Sequence, residues 1–176
     1  MIDLTKKALP NTVTVDGKAY SIYTDFRVWI RFLEETKKMT PKGIDVSYLF
    51  KNDMPDKCDI ASLMVFASPH NELPRGSGTD AIVLDYKIDS DFIVAGFLEH
   101  YGIDLTTVDD LHWHKFLALL RGLTIQLKDI MQYRSYRKDD RNVDVYEELR
   151  RAWEIIPPLT EEEQEELDEF SKTFGG

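Results

Sequence analysis

A mainly α fold with a short N-terminal β-hairpin is the architecture this sequence predicts. Three observations predict it. Asp16-Gly17 sits between two short runs of alternating residues near the N-terminus. Six later stretches carry apolar residues at the helical period. Proline and glycine clusters separate those stretches, where turns and helix ends are needed.

The hairpin reading covers residues 9–23. Val13 and Val15 alternate with threonines, and Tyr20 and Ile22 alternate with Ala19 and Ser21. A tight hairpin turn needs positive φ, which Asp-Gly supplies. An isolated hairpin is marginal in water, so it must pack on another element. Thr24-Asp25 then open a helix near 25–35, with Phe26, Trp29, Ile30 and Leu33 on one apolar face. Residues 45–50 suggest a helical turn, and Thr40-Pro41-Lys42-Gly43 a break. A second helix is expected near 58–67, stopped by Ser68-Pro69. Residues 68–80 read as a loop, and their Gly76-Ser77-Gly78 is too little to mark a phosphate site. Asp89-Ser90 start a helix near 90–100 that Gly102 ends.

Two helices meeting at Gly122 follow. The first, near 108–121, is expected to start at Thr107, with Asp109 and Asp110 in its first turn where negative charge suits the helix dipole. The second runs near 123–135. A last amphipathic helix near 142–155 carries Val143, Tyr146, Leu149 and Trp153, with i,i+3 pairs of Glu147 with Arg150 and Glu148 with Arg151. Pro157-Pro158 end it.

A chain of 176 residues predicts one domain, here 1–158, followed by a loosely attached acidic helix over 159–176. Thr160 and Glu163 give that tail a capping-box pattern. The last 17 residues hold −6 of the net charge of −10. That balance opposes broad binding to nucleic acid or anionic membranes. No apolar run nears the roughly 18 residues a membrane helix needs. The first residues lack a signal peptide's apolar segment. Cys58 is the single cysteine, which suits a reducing compartment.

No constellation for chemistry emerges. His112 and His114 are two residues apart, about 200° around a helix, so they cannot share one metal ion. A metal-binding pair on one helix wants a spacing of four. His70 and His100 lie in other segments, and neither a Cys-x-x-Cys pair nor a Gly-x-Ser-x-Gly elbow occurs. The sequence therefore predicts no enzyme, no metal and no cofactor. Arg121, Lys128, Arg134, Arg137, Lys138 and Arg141 with Tyr133 and Tyr136 have the composition of a nucleic-acid surface. Salt-paired helix faces share that composition, so a nucleic-acid-binding regulator ranks third among the readings. Trp29, Trp113, Phe116 and Leu119 are expected core anchors, and His114, Lys115, Arg121 and Arg134 a partner surface.

Three blocks carry a resemblance. They are Leu9-Pro10 with Asp16-Gly17-Lys18 through Trp29-Ile30, Tyr101-Gly102-Ile103-Asp104-Leu105 with Leu111-His112-Trp113 through Leu119, and Ile130-Met131 with Tyr133-Arg134. Over residues 9–155 the chain resembles a family of small tail-assembly proteins from tailed bacteriophages and prophages of Gram-positive bacteria. Where that family's second block often has another tryptophan, this chain has His114. The family's genes lie between those of the major tail protein and the tape-measure protein. The resemblance therefore implies a tail assembly chaperone in the cytoplasm of a bacterial host. Its partners would be the tape-measure protein and the major tail protein, with a homo-oligomer as a further possibility. The alternative is a structural virion component such as a tail-completion or connector protein. Under the chaperone reading the acidic tail would hinder aggregation.

Overall fold

The computed structural model describes residues 3, 5–38, 43–68, 82–123, 126–136 and 143–156, the side chains of 126, 143 and 144 excepted. Expectations for the 68–80 loop, the Arg137–Arg141 basic cluster and the acidic tail lie outside those residues, apart from Ser68. The mainly α class with an N-terminal hairpin is what the described residues form.

Strands β1 (Thr12–Val15) and β2 (Lys18–Ser21) pair antiparallel, with Val13 opposite Tyr20 and Val15 opposite Lys18. Asp16 and Gly17 have φ of 49° and 78°, the two positive values of a type I′ turn. The strand period sends Val13 and Val15 inward and leaves Thr12 and Thr14 exposed. Beyond β2 the chain bridges a second segment. Ile22 pairs with Phe50, and the Tyr23 amide donates to Leu49 O at 2.9 Å.

Six α-helices follow among the described residues: α1 (Phe26–Lys37), α2 (Ile60–Ala67), α3 (Ser90–Tyr101), α4 (Trp113–Gly122), α5 (Gln126–Ser135) and α6 (Val143–Trp153). A 3₁₀ turn occupies Ser47–Leu49. β1 packs on α2, while α1 and α3 both pack on α4. Asp25 caps α1 by accepting the Arg27 amide at 3.0 Å. Gly102 ends α3 in the left-handed region, φ 62°. The buried face of α1 uses Phe26, Trp29 and Phe32, with Ile30 and Leu33 half-buried. Phe32 was not on the expected stripe.

One helix start differs clearly from expectation. α4 begins at Trp113, well after Thr107. Leu111 O accepts the Phe26 amide at 2.9 Å, and the Trp113 amide donates to Thr24 O. That antiparallel bridge requires extended backbone at 111–112, which a helix cannot give. Asp104 folds the preceding turn, accepting from the Thr106 amide at 2.8 Å and its hydroxyl at 2.6 Å.

The contacts divide the chain into two compact units. The first comprises Met1–Gly78 and Leu84–Asp129, the second Thr79–Val83 and Ile130–Gly176, so α5 contributes to both. At the heart of the first unit is Phe116, fully buried. Its ring stacks on Phe26 at 4.8 Å, Phe97 at 5.2 Å and Trp113 at 5.7 Å. In the second unit, the Tyr146 ring meets Tyr133 and Tyr136.

Candidate functional site

The three residues His112-Trp113-His114 sit where α1, α2 and α4 converge, and each makes a different polar bond. The His112 imidazole caps α4: Nδ1 accepts the His114 amide at 3.1 Å. Its Nε2 lies 2.8 Å from Pro10 O. An amide only donates and a carbonyl only accepts, so the neutral ring with hydrogen on Nε2 serves both. Burial pushes the His112 pKa below its ordinary value; the Pro10 hydrogen bond and Asp110 pull the other way.

The next two residues finish α2. Trp113 Nε1 donates to Ala67 O at 3.0 Å, and His114 Nε2 meets Phe66 O at 2.8 Å. The last carbonyls of a helix lack intrahelical partners, and a buried orphan costs about 1–3 kcal/mol. The two side chains supply those partners while their rings pack. His114 stacks on Phe66 at 4.4 Å, and Phe66 in turn tilts against Trp29 at 4.4 Å. The paired histidines thus hold backbone carbonyls. Among the described residues, no group of three or more potential metal ligands forms.

Two charged clusters brace the same unit. Arg27 Nη2 donates to Leu105 O at 2.9 Å and Val108 O at 2.8 Å, while Nη1 meets Asp25 Oδ2 at 3.1 Å. One planar fork thereby ties the 105–108 turn to the start of α1. Asp25 Oδ2 also accepts the Leu111 amide at 3.2 Å. Asp85 accepts from Lys37 Nζ at 2.8 Å and from the Lys87 and Ile88 amides at 2.9 Å. Burial opposes its charge, but Lys37 and the two amides prevail and hold its pKa below the usual carboxylate range. Asp89, only 1% exposed, accepts the Asp85 amide at 2.9 Å. It starts α3 without a side-chain bond into that helix.

Each residue singled out by sequence now has a place. Trp29, Trp113 and Phe116 are fully buried, while Leu119 is half-buried. Lys115 and Arg121 are exposed. His114, placed by sequence on an exposed edge, is buried, because the late start of α4 turns its ring onto Phe66. Arg134, in the second unit, is also buried. Its Nε donates to Trp153 O at 2.6 Å and its Nη1 to Val83 O at 3.2 Å, so it caps the C-terminus of α6. Neither His114 nor Arg134 lies on an open surface. The α6 ion pairs are i,i+4: Arg151 with Glu147 at 2.9 Å and Arg150 with Glu154 at 3.4 Å. Four residues turn a helix by about 400°, nearer full register than the expected i,i+3.

Sequence reasoning marked Asp89 only as a helix start, and it missed the roles of Arg27 and Asp85. Each lies far along the chain from at least one partner or inside an irregular turn, so no periodic signal marks it. The described residues thus present polar bonds that fix helix ends. No helix among them is long and apolar enough to cross a membrane. On α6, Val145 is 66% exposed, and Tyr146, Leu149 and Trp153 are half-buried. No curated protein and no solved structure matches the chain. A comparison with known families matches residues 33–157, well over half its length, to the family described as Bacteriophage Gp15 protein. That match takes in Phe97, Phe116 and residues 112–114, and the chain belongs to the Bacteriophage Gp15 protein family.

Proposed function

We propose that this bacteriophage protein is a tail morphogenesis factor, acting as a tail assembly chaperone on the tape-measure protein and tail-tube subunits. The observation that carries this reading is membership of the Gp15 family over residues 33–157, which supports a phage structural or morphogenesis role in general terms. The narrower role rests on the sequence resemblance to tail-assembly proteins of phages from Gram-positive hosts. The half-covered apolar edge of α6 supports it, with Val145 66% exposed beside Tyr146, Leu149 and Trp153. An amphipathic helix with such an edge lies against a partner helix and shields its apolar stripe. The site of action is the host cytoplasm.

Co-expression with the tape-measure protein of the same phage tests the proposal. The tape measure should become more soluble and elute with this chain. No gain in solubility and no complex would end the chaperone reading. Mass spectrometry of purified virions addresses the alternative: a chaperone is absent from finished particles, whereas a connector or completion protein is present.

A further inference from the structure

The join between α4 and the segment leading into β1 depends on one side chain that fits in one protonation state. His112 Nδ1 must accept, from the His114 amide at 3.1 Å, while Nε2 must donate, to Pro10 O at 2.8 Å. We propose that His112 is a proton-operated latch: a proton added at Nδ1 removes the α4 cap and opens the join between α4 and the Pro10 segment.

The consequences reach beyond one bond. The residues directly after the latch hold the end of α2, through Trp113 to Ala67 O and His114 to Phe66 O. The Trp113 amide also pairs with Thr24 O at the start of α1. Loosening the first turn of α4 therefore weakens three attachments together. An N-cap acceptor works only while it has a lone pair facing the helix amides, and protonated imidazole has none.

The surroundings set the direction of the switch. Burial disfavours the charged ring most, and the amino-terminal charge adds to that, whereas the Pro10 hydrogen bond and Asp110 favour protonation. From α1, Asp25 is committed to Arg27 and the Leu111 amide. From α2 the neighbour is the uncharged Phe66 ring, at 6.1 Å. From α4 itself the neighbour is the His114 ring at 5.4 Å. With its pKa lowered from 6.5, the folded protein binds this proton less readily than the unfolded chain. The latch is closed above about pH 6.5 and opens as pH falls through the lower folded value.

Nitrogen-15 NMR on the full chain reads the ring state, and amide exchange at His114 reads the latch. The hydrogen should sit on Nε2 at pH 7.5, with His112 titrating below 6.5. Opening at the His114 amide, corrected for intrinsic exchange, should rise about fivefold on acidification, the scale of losing one helix cap. His112→Asn places a side-chain oxygen near Nδ1 that acid does not protonate, so the pH response should vanish. The proposal fails if the hydrogen sits on Nδ1, if His112 titrates at or above 6.5, or if H112N keeps the wild-type response. Should H112N not fold, the wild-type ring state and titration decide alone.

Discussion

The indole nitrogen of Trp113 donates to the backbone oxygen of Ala67 across 3.0 Å and 46 positions of sequence. One side chain therefore fills the core of the first unit and also terminates α2. Trp113→Phe keeps most of the ring packing but leaves that oxygen without its donor, which should cost about 1–3 kcal/mol. Trp113→Ala also loses the stack on Phe116 and should cost about 3–5 kcal/mol. Urea midpoints of the two variants check the order; equal losses would show that the hydrogen bond contributes nothing separable.

Asp25 does three jobs with two oxygens: Oδ1 caps α1 through the Arg27 amide, and Oδ2 holds both the Leu111 amide and the Arg27 guanidinium. Asp25→Ala should destabilise by about 2 kcal/mol, the scale of a cap plus a charge-assisted bond. Asp25→Asn keeps the cap and turns a donor toward Leu111, so its loss should be intermediate. Chemical denaturation of the three proteins gives the ranking.

Gly122 closes α4 where an added Cβ would meet the Tyr101 hydroxyl. That hydroxyl donates to Leu119 O at 2.9 Å. Alanine is otherwise the better helix residue by about 1 kcal/mol. Gly122→Ala should thus destabilise the wild type, yet cost less or even stabilise in a Tyr101→Phe background. A double-mutant cycle measured by thermal unfolding checks it; strict additivity would rule out the contact.

How far could the sequence be read? The Asp16-Gly17 turn was legible because positive φ at two consecutive positions leaves a strong local signal. Gly102 was legible because a left-handed residue just past a helix end favours glycine. The start of α4 was not. Thr107, Asp109 and Asp110 satisfy local capping chemistry, but the bridge from residues 111–113 to 24–26 overrides it with distant backbone bonds. The clasp was half visible: His112 and His114 stood out as residue types, but the helical spacing that set them about 200° apart does not apply, because His112 precedes α4 as its cap and the two rings lie 5.4 Å apart. Their partners are carbonyls of Pro10 and Phe66, and a carbonyl has no letter in the sequence.

Asp85 gives an acid-range prediction. Its folded pKa lies below its ordinary 3.8 despite burial, chiefly through Lys37 and the two turn amides. Its contribution is therefore complete above the unfolded value and is lost as pH falls through the folded one. Asp85→Asn should flatten the decline of the urea midpoint between about pH 5 and pH 2 relative to wild type. An unchanged slope would show that the Lys37 bond is balanced by desolvation.

Arg134 sits 4% exposed and spreads its guanidinium over Trp153 O and Val83 O. Lysine keeps the charge but lacks the fork. Arg134→Lys should raise hydrogen exchange at the C-terminal turn of α6, with a loss of about 1–3 kcal/mol for the orphaned carbonyl. Wild-type protection in that turn would mean that lysine reaches both oxygens.

The three tryptophans are placed so that the protein carries its own optical labels. Trp29 and Trp113 are fully enclosed in the first unit, while Trp153 is half-buried in the second. Their emission should therefore differ in colour before any dye is attached. A variant with phenylalanine at positions 29 and 113 would leave Trp153 to report on the second unit by itself. Comparing its unfolding curve with that of Trp153→Phe would reveal whether the two units melt as one cooperative body or in sequence.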